Sequence, residues 1–147
     1  MLDIDRITKA NTDVINVSDQ MDSLINAGIK DFLSDPKSSL ALKYLLIEAV
    51  EAIADICQHL LARIKGIACE GYVDCIMKTG KAGIITPSLS DKLRQLADLR
   101  NNLIHRYWII DHEQLYNQTV DNRRYLKDFV EQINTFLLSI KEKDKKS

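Results

Sequence analysis

Leu42, Leu46, Ala49, Ile53, Ile56 and Leu60 recur at spacings of four and three residues. That period places all six side chains on one face of an α-helix, whereas a strand alternates every second residue and would scatter them over both faces. The same period returns elsewhere. Ile4, Ile7, Val14, Met21 and Ile25 form a stripe flanked by Val17 and Leu24 and interrupted by Asn11 and Ser18. Leu115, Thr119, Leu126, Phe129, Ile133, Phe136 and Ile140 form another. With five Gly and two Pro in 147 residues, there is little material for the turns that many strands would need. The expectation is an all-α fold: an antiparallel helical bundle of four long helices plus a short connecting helix, in one domain over residues 1–147.

Punctuation divides the chain accordingly. The first helix is expected from about Asp3 to Ala27, stopped by Gly28, with Ile29–Leu33 continuing the turn. Asp35-Pro36 reads as an N-cap followed by proline at the first helical position, opening a helix that runs to about Lys65 before Gly66. Residues 66–87 are less regular. Tyr72–Thr79 can form the short helix, and Thr79–Gly83 a connector without the order of a phosphate-binding loop. Ser88 or Ser90 can cap a helix reaching Ile104 or His105. A last long helix is expected from Asp111, with Gln114 in capping-box spacing, and residues 141–147 are expected to fray.

Charge excludes little. The net charge is −1, although residues 1–60 carry ten acids and five bases and the remainder eleven acids and fifteen bases. The basic half offers a modest attraction for a polyanion. No apolar run approaches the ~20 residues that span a bilayer, and Met1–Arg6 does not resemble a signal peptide, so a cytoplasmic location is expected. Cys57, Cys69 and Cys75 lack zinc-like spacing and are odd in number. They read as buried free thiols, with neither a disulfide framework nor a metal site implied.

One position breaks the pattern. Along Leu89, Leu93, Leu96 and Leu103, the seam of the fourth segment places Arg100 where an apolar residue is expected. A guanidinium there must be paired or face a pocket. Glu48, Glu51 and Asp55 share one face of the preceding long helix: they are either a solvated stripe or the source of a partner for Arg100. Asn101 and His105, four residues apart, share a face, whereas Arg100 and His105 lie about 140° apart around an ideal helix. The latter pair converges only if the helix end distorts, if Arg100 reaches around it, or if two subunits meet. Arginine, asparagine and histidine suit phosphodiester chemistry: Arg to hold a phosphate, Asn to hydrogen-bond an oxygen or orient the imidazole, and His to move a proton near neutral pH. Tyr107 and Trp108 can stack on bases or simply pack.

The segment Arg100-Asn101-x-x-x-His105-x-Tyr107 resembles the motif of HEPN ribonucleases, and its Arg-x4-His-x-Tyr form resembles the HepT branch found in type VII toxin–antitoxin pairs. The stretches Leu46–Ile56 and Ala82–Ile85 are similar to segments of the same toxins. The resemblance implies a homodimer whose motif residues line a shared cleft. It implies metal-independent cleavage of RNA by Arg100 and His105, supported by Asn101 and needing no cofactor. It also implies a nucleotidyltransferase antitoxin of the MNT type that transfers AMP to Tyr107. Two other readings stay open: a non-catalytic helical module that partners a nucleotidyltransferase, and a plain bundle with an Arg–carboxylate pair in its core.

Overall fold

A computed structural model describes residues 1–106 and 110–146. Helix α1 (Ile4–Asn26) starts where the Asp3 carboxylate accepts a hydrogen bond from the Arg6 amide, and it ends before Gly28. Gly28 has φ 92°, a left-handed conformation that glycine adopts without penalty, and it turns the chain into the short α2 (Ile29–Ser34). Asp35 caps α3 (Pro36–Leu60), as its sequence predicts, and a π-helical turn over Leu61–Lys65 ends at Gly66. The connecting helix is α4 (Gly71–Lys81).

Helix α5 (Pro87–His105) is capped by Thr86, whose hydroxyl oxygen accepts from the Leu89 amide. The serines named in the sequence reading are not the cap. Pro87 takes the first helical position, where its missing N–H is not needed, and Ser90 is buried, donating its hydroxyl to the Ile76 carbonyl at 3.1 Å. Gly80 lies against it. A Cβ on Gly80 would sit 2.6 Å from the Ser90 Cβ, so glycine permits the close α4–α5 approach. Gly80 is therefore part of α4 and not of a connector.

The expected last long helix is two helices, α6 (His112–Asn122) and α7 (Arg124–Lys146). No proline or glycine marks the break. Its reason is tertiary: α6 packs on α1, α2 and α3, whereas α7 packs on α1 and α5. Arg123, at the junction, donates from Nε to Asp22 at 2.6 Å and from Nη1 to the Val120 carbonyl. At the other end α7 remains helical through Lys146, beyond the expected fraying point.

Four long helices form a closed ring of contacts, α1 on α3, α3 on α5, α5 on α7 and α7 on α1. Cross-contacts fix two directions. Arg6 meets Asp55 and Asp19 meets Lys127, so α1 runs antiparallel to both α3 and α7. Inside lie Ile7, Met21, Leu46, Ile53, Leu93 and Phe129. Asn11, which interrupts the α1 stripe, is buried and donates to Asn134 across to α7. Among the described residues no helix is long and apolar enough to cross a membrane.

The cysteines correct the reading above. Cys57 is a buried free thiol, its pKa pushed by burial up to about 12. Cys69 and Cys75, however, form a disulfide with Cα atoms 5.1 Å apart. Cys69 precedes α4 and Cys75 lies in its second turn, and the winding of that turn brings them together. Spacing rules for cysteine frameworks carry no such local geometry.

His59 gives the fold a pH dependence. It is buried, and its Nε2 accepts from the Asp3 amide at 3.0 Å. Burial, with Arg6 and Arg63 nearby, holds its pKa below the ordinary imidazole value, against weaker opposing effects of Asp3 and Asp55. The unfolded chain therefore takes up the proton first as pH falls. The stability that neutral His59 contributes is complete above about pH 6.5 and is lost as pH drops through the lower folded value. Thermal melts from pH 7.5 to 5 are expected to show a falling midpoint. His59→Gln, which still offers an acceptor and does not titrate, is expected to flatten that slope; an unchanged slope would contradict the assignment.

Candidate active site

Helix α5 carries Arg100, Asn101 and His105 of the motif. Leu89, Leu93, Leu96 and Leu103 are buried, which confirms the seam. Arg100 sits on it with its side chain 13% exposed. The guanidinium lies over the ring of Tyr72 from α4, with Cζ 4.1 Å from the centroid, and Nη2 lies 3.4 Å from the Tyr72 hydroxyl, to which it donates. On another edge Nη1 donates to Asn101 Oδ1 at 3.1 Å. Of the three candidate carboxylates, Glu51 provides the ion pair, Oε1 to Nη2 at 3.6 Å. Asp55 is engaged elsewhere: it binds Arg6, which holds its carboxyl below the ordinary range despite the opposing effect of burial. Glu48 is half-buried and forms no ion pair among the described residues. Nε of Arg100 is buried without a hydrogen-bond partner there.

His105 is the last residue of α5 and is exposed. The helix stays α-helical up to it, and the Arg106 amide still donates to the Asn102 carbonyl at 2.8 Å. No distortion therefore closes the angle between Arg100 and His105. Arg100 does not reach around the helix either, because its guanidinium is turned to Tyr72 and Glu51. Asn101 accepts from Arg100 through Oδ1, and among the described residues it makes no hydrogen bond to the imidazole. Tyr107 lies outside the described residues.

A cleft of about 420 Å³ opens beside the guanidinium's supports, lined by Glu51, Asp55, Gln58, Tyr72 and the Cys69–Cys75 bridge. A larger one of about 670 Å³ lies on the flank of α5 that carries Lys92, Asp98 and Asn102, facing Asp121, Arg124 and Tyr125. Two acids against two bases give that cleft no preference for an anion, and the smaller cleft, lined by Glu51 and Asp55 without a base, gives none either. Among the described residues no group of three His, Cys, Asp or Glu side chains is gathered to hold a metal ion. Tyr72 is the residue that sequence reasoning missed. It lies 28 positions from Arg100, and only the tertiary packing of α4 on α5 joins them.

The model of the HepT-like ribonuclease family matches residues 15–133, most of the chain and all of α3, α4 and α5. The chain belongs to that family. Among curated proteins, the tRNA nuclease HepT of Aphanizomenon flos-aquae is 28% identical over 126 residues, covering 86% of each chain. Solved structures show the same fold. A tri-AMPylated HEPN toxin of Shewanella oneidensis, solved in complex with its MNT antitoxin, superposes with a TM-score of 0.81 at 19% identity, over 92% of this chain and 99% of that one. The cytosolic protein YutE of Bacillus subtilis, described as of unknown function, gives 0.77 at 20% identity over 94% and 92%. The matched residues include all of α5, where Arg100 breaks the apolar seam.

Proposed function

We propose that this member of the HepT-like family is the metal-independent endoribonuclease toxin of a toxin–antitoxin pair, cleaving RNA with Arg100 and His105. The observation that carries this reading is the held guanidinium: Arg100 is mostly buried, lies over the Tyr72 ring and is ion-paired, within the helix that also bears Asn101 and His105. The chemistry follows from the substrate. RNA supplies its own nucleophile, the 2′-hydroxyl. The 2′-oxygen bonds to phosphorus, the 5′-oxygen leaves, and His105 carries the proton between them. Arg100 stabilises the negative charge that gathers on the phosphoryl oxygens in passing. Asn101 supports Arg100 through the bond between them.

We further propose that the site belongs to two subunits. A straight helix keeps Arg100 and His105 of one chain apart, and a symmetric dimer can place the Arg100 of one beside the His105 of the other. Helix α3 offers a surface for this. Leu40 and Tyr44 are 64% and 65% exposed and lie on one helical stripe with Ile47 and Glu51, the carboxylate that holds Arg100. Control by a nucleotidyltransferase antitoxin is the third part of the reading. Transfer of AMP to Tyr107 would put a negative charge and a bulky group two residues from His105, where they oppose an RNA phosphate.

The test begins with RNA in EDTA. Purified protein is expected to cut tRNA or another RNA of a total cellular pool without added metal. Tight nucleotide binding with no cleavage of any pool would identify a non-catalytic module instead. Incubation with ATP and the cognate nucleotidyltransferase is expected to add AMP at Tyr107, seen by mass spectrometry, and to stop cleavage. AMP found only at other residues would overturn that part of the reading.

A further inference from the structure

We infer that Tyr72 is a positioning residue for the reaction, holding the Arg100 guanidinium in place. The inference rests on the reading of Arg100 as the phosphate-binding residue. A long, unbranched arginine reaches a phosphate in a reproducible pose only if something holds its planar end. The ion pair cannot do this alone, since Glu51 is itself 52% exposed and meets Nη2 at 3.6 Å. The Asn101 amide touches a single nitrogen.

The Tyr72 ring lies beneath the guanidinium. With Cζ at 4.1 Å from the centroid, the ring supports the cation, and the hydroxyl adds a long hydrogen bond from Nη2 at 3.4 Å. These contacts engage Nη2 and one N–H of Nη1, so the second N–H of Nη1 is the donor left to meet a phosphoryl oxygen.

Tyr72 is itself held firmly. It lies in the first turn of α4, between Cys69 and Cys75, which are bridged. The Glu70 amide donates to Asp74 at 2.8 Å across the same turn. Further along, Gly80 lets α4 sit directly on Ser90 of α5. The ring is thus mounted on the helix that packs against the one carrying Arg100, and a shift of α4 would move the guanidinium with it. Displacing a transition-state group by about 1 Å can lower a rate 10²-fold.

The experiment uses the full chain and single-turnover cleavage of one RNA oligonucleotide that the parent cuts. Tyr72→Leu keeps an apolar side chain of similar bulk and removes both the ring face and the hydroxyl. It is expected to lower the saturating single-turnover rate constant about 10²-fold with the half-saturating enzyme concentration changed less than about threefold. Tyr72→Phe restores the stack and is expected to recover to within about threefold of the parent, because the hydroxyl bond is long. In the Arg100→Ala background Tyr72→Leu is expected to have no further effect, since it acts only through Arg100. Thermal melts accompany each variant, and Tyr72→Met replaces Tyr72→Leu if the latter does not fold. A folded Tyr72→Leu or Tyr72→Met that cleaves like the parent, while Arg100→Ala is inactive, overturns this inference alone. Arg100→Ala cleaving like the parent overturns the reading beneath it.

Discussion

Arg100→Ala is expected to lose RNA cleavage by about 10³-fold while the protein stays folded. The magnitude is that of removing a charge-stabilising donor from a transition state. The retention of fold follows from the surroundings of the guanidinium. Its carboxylate partner, Glu51, is half-exposed and can return to water, so the pair behaves as a surface ion pair worth at most about 1 kcal/mol. The stack on Tyr72 adds a similar amount. A total of about 1–2 kcal/mol is small beside the 2–5 kcal/mol expected for truncating a core residue such as the fully buried Leu46. Thermal melting beside the cleavage assay separates the outcomes. A bundle that used Arg100 only as a core ion pair would lose about 3–5 kcal/mol on truncation and have no cleavage to lose. Arg100→Lys is expected to remain poor, because an ammonium keeps the charge but neither stacks flat nor presents a fork of donors.

The parts of this fold that repeat at helical spacing were legible in the sequence. The α3 stripe from Leu42 to Leu60 is buried throughout, and Asp35-Pro36 opens the helix it was expected to open. Arg100 stood out as a charge on an apolar seam, and the structure supplies the reason in Tyr72 and Glu51. What could not be read depends on contacts between distant segments. The division of the last helix at Arg123 answers a demand from Asp22, about a hundred residues away. The Cys69–Cys75 bridge depends on how one turn winds. Among Glu48, Glu51 and Asp55 the sequence held no means of choosing, because Asp55 is taken by Arg6 from another helix and Glu51 is chosen only by the packing of α3 on α5. Thr86 is the cap of α5, in place of Ser88 or Ser90, because Pro87 takes the first helical position and the cap is the residue immediately before it.

The angle between Arg100 and His105 bears most directly on how the proposed site works. Helix α5 remains regular to its last residue, so the two side chains of one chain cannot serve one phosphate as they stand. In a two-fold symmetric dimer each site would take Arg100 from one subunit and His105 from its partner. Joining one Arg100→Ala chain to one His105→Ala chain then puts both substitutions in one site and leaves the other intact. Each variant alone is expected to be inactive, since every one of its sites lacks a residue. The two chains, co-expressed with different tags and purified through both, should cleave RNA in EDTA at about half the parent rate, one site in two being whole. A mixed species as inactive as either variant alone would contradict the two-subunit ribonuclease site.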